Sequence, residues 1–379
     1  MYAHRYAMSI EVLMRCALRP ALLLLAACAA EADALPYGAS AAACAECHEG
    51  HAAEWGTSAH AASAASPVFV AMLPEVETNW GASARDTCVG CHAPEHGDDE
   101  AVVTCVSCHA AVGNHAERDG RLAVDLTAPL AGPLGAGAIA TDAHTSAPRG
   151  LLTDATLCGT CHEVTGPELL QEGTLSEHGS SPAAAEGFAC VDCHAPPTAA
   201  RALTADTPVR PSRDHRFVGF DPPWGADADT AAAAAAETQA LLSRALSLAI
   251  ETRVGAREAV VTNIAGGHSV PTGVSFLRDL WLDVEVDGVA LVEPLLRIGD
   301  QPLADSAPVA LLTDADQVRA GSLAAGESIR VVLPAGELVL RLRARAVRPE
   351  VLAALGLEDL ATELPVHELA VVAEAAAPR

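Results

Sequence analysis

The sequence predicts two regions of different class: short helices joined by irregular chain, followed by a small antiparallel β-sandwich domain. Three observations predict this. Gly, Pro and short polar clusters interrupt residues 41–225 every few positions, too often for long helices or sheets. Ala231 to Ile250 then runs without Gly or Pro and sets Leu241, Leu242, Ala245, Leu246 and Ala249 at helical spacing, so residues 226–250 read as a connecting helix. Beyond it the apolar period falls to two, in Ala259 to Ile264, Leu280 to Val286, Ser328 to Leu333 and Leu338 to Ala346, with turn signals such as Asp287-Gly288 between runs. A length of 379 residues accommodates both parts, residues 251–379 forming the second.

The first region carries the chemistry. Cys44-Ala-Glu-Cys47-His48, Cys88-Val-Gly-Cys91-His92, Cys105-Val-Ser-Cys108-His109, Cys158-Gly-Thr-Cys161-His162 and Cys190-Val-Asp-Cys193-His194 are five copies of C-x-x-C-H. In this motif two thiols add to the vinyl groups of one haem and the adjacent imidazole falls under the iron as its proximal ligand. A structural zinc site or a redox disulfide also uses C-x-x-C, but neither requires His directly after the second Cys, as here in five pairs of five. The reading is of five covalent haem c groups in an α plus irregular multihaem domain. Aromatic residues make up only 3% of the chain, so ordinary side chains would give this half a thin core, which porphyrins can fill. Motifs two and three are separated by twelve residues, which predicts that their haems are stacked neighbours.

Ahead of this domain, Arg5, Arg15 and Arg19 precede a short apolar run, Ala21 to Ala27, that reads as an export signal over residues 1–27. It ends Leu25-Ala26-Ala27-Cys28, which resembles a bacterial lipobox; Cys28 would then carry the lipid, with residues 28–40 as a tether. Ala29 after the Cys resembles the sorting signal of lipoproteins that pass to the outer membrane. No other run is long and apolar enough to span a bilayer, so the expectation is an exported chain whose only membrane contact is the lipid. With Cys28 lipidated and Cys16 lost with the signal, all remaining cysteines belong to the motifs.

Motif one continues as His48-Glu-Gly-His51-Ala-Ala-Glu-Trp55-Gly-Thr-Ser58-Ala-His60. Here the chain resembles the multihaem cytochromes related to the tetrahaem cytochrome of ammonia oxidisers, in which C-x-x-C-H is followed by W-x-x-S-x-H. That resemblance makes His60 a distal ligand, and it places another in the loop before motif four, at His144. Asp214-His215-Arg-Phe217-Val-Gly219 is similar to the family's D-H-x-F-x-G and makes His215 a third. Glu177-His178-Gly-Ser-Ser181-Pro182 before motif five resembles E-W-x-x-S-P, with His178 in place of Trp and Ala195 in place of the Met after the motif. His51 reads as a solvated or propionate-facing imidazole.

In the second region Gly266-Gly-His268-Ser-Val-Pro271-Thr-Gly273, followed by Arg278-Asp-Leu-Trp281-Leu, resembles the G-H-x-x-P-T-G and R-x-x-W-L pair found after the haem region of many multihaem cytochromes. A loop fixed by Gly and Pro can hold an imidazole out from a strand end, so His268 is the fourth distal candidate, and it reaches a haem only if the sheet folds back over the first domain. His367 reads as surface. Of 15 histidines His4 lies in the signal and five are proximal, leaving nine for five distal positions, with the fifth open among His51, His96, His115 and His178. Met72 is the one Met outside the signal, so bis-histidine ligation should dominate.

A net charge of −26 with Arg as the sole basic type excludes nucleic acid as a partner and favours basic redox proteins. Two functions fit. One is an electron carrier between periplasmic or membrane donors and a terminal acceptor. The other is an enzyme in which one five-coordinate haem reduces or oxidises a small nitrogen or sulfur compound. No catalytic residue is assigned, and the absence of Lys excludes the C-x-x-C-K site of pentahaem ammonia-forming nitrite reductases.

Overall fold

The computed structural model describes residues 40–94, 102–114, 122–132, 139–140, 142–148, 150–201 and 209–375. Its first half is built from short helices, each started by a local cap. Ala41–Ala45 (α1) begins at Ser40, whose side chain accepts from Ala43 N–H, and Glu49–Trp55 (α2) follows. Pro67–Trp80 (α3) starts with Pro at its first turn and leads through Gly81, at φ 89°, into Ala82–His92 (α4). Cys105–His109 (α5) carries a capping box between Thr104 and Ser107. Asp154 caps Ala155–Gly159 (α6), after which come Thr174–Gly179 (α7), Pro182–Ala185 (α8) and Cys190–His194 (α9).

One helical turn is what the C-x-x-C-H spacing needs, because residues three and four apart share a helix face. Motifs two, three and five lie wholly on α4, α5 and α9. Motifs one and four run past a helix end but keep the turn, His48 N–H donating to Cys44 O and His162 N–H to Cys158 O at 2.9 Å each. Small ladders fill the gaps, such as Val164–Thr165 with Gln171–Glu172. The buried apolar residues of this half are almost all Ala or Val, with Leu157 the largest.

The large apolar clusters belong to the second half. Ala228–Ala245 (α10) is capped by Asp227 and runs directly into a strand, Leu246–Arg253 (β1), which pairs antiparallel with Ala256–Asn263 (β2), and β2 with Ser328–Val332. The connecting helix thus stops five residues short of Ile250: Leu246 and Ala249 continue the helical spacing, while Leu246, Leu248 and Ile250 alternate as in a strand, and pairing of Leu246 with Asn263 decides for the strand. A five-stranded sheet holds Asp279–Val286 (β3), Leu338–Arg345 (β4) and His367–Glu374 (β5) side by side, with Val289–Ala290 and Leu296–Ile298 on β3. On β4, Leu338, Leu340, Leu342 and Ala344 are buried while Val339 and three arginines alternate with them. Leu246 and Val261 of the first sheet share a cluster with Leu280, Leu342 and Leu369 of the second. The outcome is helices followed by small antiparallel sheets. His367 is buried at 3% exposure opposite Ala344, so its reading as surface is corrected; its place at the start of the edge strand paired with β4 was hidden by the weak pattern before it.

Polar contacts join the halves. Arg278 places both terminal nitrogens on Asp221, each at 2.7 Å, with its guanidinium 5.6 Å from the Phe220 ring centre. Val68 and Met72 of α3 pack into the cluster of Leu311, Val347, Val351 and Leu352. Met72 is thereby a core residue. Arg278 is 13% exposed and Asp221 34%, so the pair is partly screened, and Asp221→Asn should lower stability by about 1–3 kcal/mol. The check is the denaturant midpoint at constant slope.

Candidate metal centre

The ten motif cysteines are free thiols, and three contacts link different motifs. Cys105 of motif three bonds Cys44 of motif one, Cys161 of motif four meets Cys91 of motif two, and Cys158 of motif four meets Cys190 of motif five. Those hydrogen bonds, with burial, push the Cys105, Cys158 and Cys161 thiols well above the ordinary range. These thiol contacts join motif three to one and motif four to both two and five.

The imidazoles fall into pairs with nearly parallel planes. His48 stands opposite His144 with ring centres 6.2 Å apart and planes at 23°, His109 opposite His215 at 6.3 Å and 10°, and His194 opposite His268 at 6.1 Å and 15°. Backbone carbonyls fix many of these rings through Nδ1: His92 on Ser63 O at 2.7 Å, His109 on Ala131 O at 2.6 Å, His194 on Val218 O at 2.8 Å, His215 on Arg213 O at 2.9 Å and His268 on Ser269 O at 2.8 Å. With Nδ1–H donated to the carbonyl, Nε2 is the nitrogen left to coordinate. Burial is the leading cause that lowers the pKa of His48, His92, His109 and His194 and so favours the neutral form that binds metal. His60 is held down to about 4 by burial, then by His162, His194 and His92. His162 differs: burial lowers its pKa, but the Glu172 carboxylate, 3.8 Å from Nδ1, outweighs burial and raises it.

His268 is positioned by a loop that docks on α7. The Glu177 carboxylate accepts from Ser269 N–H at 3.0 Å and from the Thr272 hydroxyl at 2.6 Å, and Gly267 O meets His178 Nδ1 at 3.0 Å. Asn263 closes the loop from inside, its amide donating to His268 O and Leu323 O at 3.0 Å each, while its Oδ1 accepts from Gly266 N–H. A Cβ on Gly266 would meet that amide at 2.1 Å. His178 is buried in this contact, and no parallel ring faces it among the described residues. His51 is half-buried rather than solvated: its Nε2 meets Ser212 Oγ at 2.9 Å and its ring lies edge-on to His215 at 4.7 Å. Cys28, His96 and His115 lie outside the described residues.

Sequence reasoning missed Glu172 and the docking role of Glu177. Glu177 stood inside the motif quoted for His178, which was the available signal; Glu172 had none.

The residues fit haem better than a bare metal ion. Among the described residues no group of three or more His, Cys, Asp and Glu is arranged to hold an ion, so tetrahedral zinc finds no ligand set. Contact stacking closes rings to the 3.9 Å of Phe69 on His92, whereas the imidazole pairs stand much further apart. An ion about 2 Å from each of two facing ring nitrogens sets the ring centres about 6 Å apart, which the pairs match. Two axial imidazoles with thiols alongside leave the remaining ligands to a macrocycle. An apolar cavity of about 360 Å³ lies beside motif one, bordered by Ala41, Ala45, Ala52, Trp55 and Val102.

Comparison with known proteins agrees. Residues 43–110 match the family described as cytochrome c554 and c-prime. The fold is similar to the crystal structure of a penta-heme cytochrome c552 from Thermochromatium tepidum, with a TM-score of 0.62 over 91% of this chain and 100% of that one, at 20% identity. No curated protein matches the sequence. The family match thus covers the segment of motifs one to three, and the likeness over the rest of the chain is one of fold.

Glu177→Ala removes the shared acceptor of the His268 loop. Amide exchange at Ser269 should then quicken on the order of tenfold, as measured by hydrogen exchange, with the strands of β3 and β4 unaffected.

Proposed function

We propose that the chain binds five haem c groups through its five Cys pairs and carries electrons between a periplasmic or membrane donor and a terminal acceptor. The observation that carries this is the set of three parallel imidazole pairs at 6.1–6.3 Å, each joining a motif His to a distant one. His48, His92, His109, His162 and His194 are the proximal ligands, with His144, His215 and His268 opposite His48, His109 and His194, and His60 serving His92 or His162. Bound haem supplies one-electron chemistry at low potential where both axial ligands are imidazoles. The protein's residues fix the ring planes through Nδ1, exclude water with the docked β region, and set the order of the haems. The thiol contacts support a route from motif one through three towards four, where two and five meet it. The β region is read as a two-sheet sandwich acting as a lid. Cys28 carries the lipid that holds the chain at the outer membrane, and the acidic surface meets basic redox partners.

A second reading has one specific support. Among the described residues neither His92 nor His162 has a parallel ring at 6 Å, and His60 is the half-buried imidazole near both. One haem would then lack a distal side chain and bind a small nitrogen or sulfur compound.

The pyridine haemochrome assay should return five haems per chain that survive denaturation; three or fewer overturns the proposal. His268→Ala should convert one low-spin haem to high spin and admit carbon monoxide, with the haem count unchanged, as read by electron paramagnetic resonance. Cys28→Ala should release the protein from membranes in fractionation.

A further inference from the structure

Glu172 occupies a place that nothing in the motifs requires. The rings of His92, His109 and His194 rest Nδ1 on a backbone carbonyl, and His215, which has Glu54 Oε2 3.9 Å from Nδ1, still donates to Arg213 O at 2.9 Å; at His162 it is a carboxylate, Glu172 Oε1, that faces Nδ1, at 3.8 Å, an ionic contact rather than a close hydrogen bond. The carboxylate is enclosed, its side chain 14% exposed, at the end of the Gln171–Glu172 strand that pairs with Val164–Thr165. It accepts a hydrogen bond from the Thr174 hydroxyl, which in turn meets Thr272 Oγ1 of the His268 loop at 2.8 Å. Gly273 of the same loop, at φ +65°, packs so near that a Cβ there would lie 2.1 Å from Glu172 Oε2. The loop that presents His268 to motif five therefore also walls in the carboxylate beside motif four.

We propose that Glu172 is a positioning residue whose negative charge beside His162 favours oxidised iron and makes the motif-four haem the lowest in potential of those held by this chain, with the docked β loop setting how closely the carboxylate approaches. The proposal rests on the reading of Cys158 to His162 as a haem site. A carboxylate 3.8 Å from Nδ1 acts through its charge: in an enclosed site it stabilises positive charge on the imidazole and on an iron beyond it, and so favours the oxidised state more than a neutral carbonyl does. Motif four is also where the thiol contacts converge, with Cys158 on Cys190 and Cys161 on Cys91. A low-potential haem at that junction keeps electrons moving outward to its neighbours rather than resting there.

The test is potentiometric titration of the full haem-loaded protein, with the peptide containing Cys158 and Cys161 weighed for attached haem. Glu172→Gln should raise the lowest midpoint and leave the others in place, Glu172→Asp should restore it in part, and the low-spin resonance of one haem should move with it. Gly273→Ala, which displaces the carboxylate without touching any ligand, should raise the same midpoint, and joining it to Glu172→Gln should add nothing further. Midpoints unchanged, or lowered, in Glu172→Gln while the peptide carries haem overturn the role of Glu172. A wild-type peptide without haem overturns the reading of the site itself.

Discussion

The structure depends on facing imidazoles from remote parts of the sequence. A ring can hold a ligating nitrogen in place only if its other nitrogen is tied down, and the carbonyls of Ser63, Ala131, Val218, Arg213 and Ser269 do this for five histidines. Each such carbonyl must itself be fixed. Ser63 O is fixed because Ser63 sits in a turn whose hydroxyl also links His92 O at 2.6 Å and Val103 N–H at 3.0 Å. Backbone held this firmly takes the place of the large side chains that the first half lacks.

What was legible in the sequence was local. One turn of helix is enough to place two thiols and an imidazole, so the motifs could be read residue by residue, and caps such as Ser40, Thr104 and Asp154 start the helices where the motifs need them. Alternation along β4 revealed its buried face for the same reason. Long-range pairing was not legible from spacing. Motifs two and three are near in sequence, yet the thiol contacts of the one run to motif four and of the other to motif one. The Ala245–Leu246 boundary and the burial of His367 failed likewise, since helix and strand periods coincide over one turn and the ladder partner decides.

The rings proposed as distal ligands were named through resemblance, and the geometry adds which motif ring each one lies beside: His144 with His48, His215 with His109, His268 with His194. His60 is the instructive case. It is half-buried and near three motif histidines, but forms no parallel 6 Å pair among the described residues, so resemblance named it a candidate ligand without naming its partner.

The seam between the two halves shows why the second is present. An apolar contact, Val68 and Met72 against Leu311, Val347, Val351 and Leu352, holds the halves together but leaves their sliding position free. Polar, directional contacts fix that position: Arg278 grips Asp221 through two parallel bonds, and Glu177 takes both a backbone N–H and a hydroxyl from the His268 loop. Such pairs contribute little net stability once desolvation is counted, but they penalise any other register steeply. A ring that must face another at a fixed distance and angle needs that penalty more than it needs adhesion. The R-x-x-W-L arginine and the G-H-x-x-P-T-G loop thus act together, one fixing the sheet and the other delivering the imidazole that the fixed sheet can place.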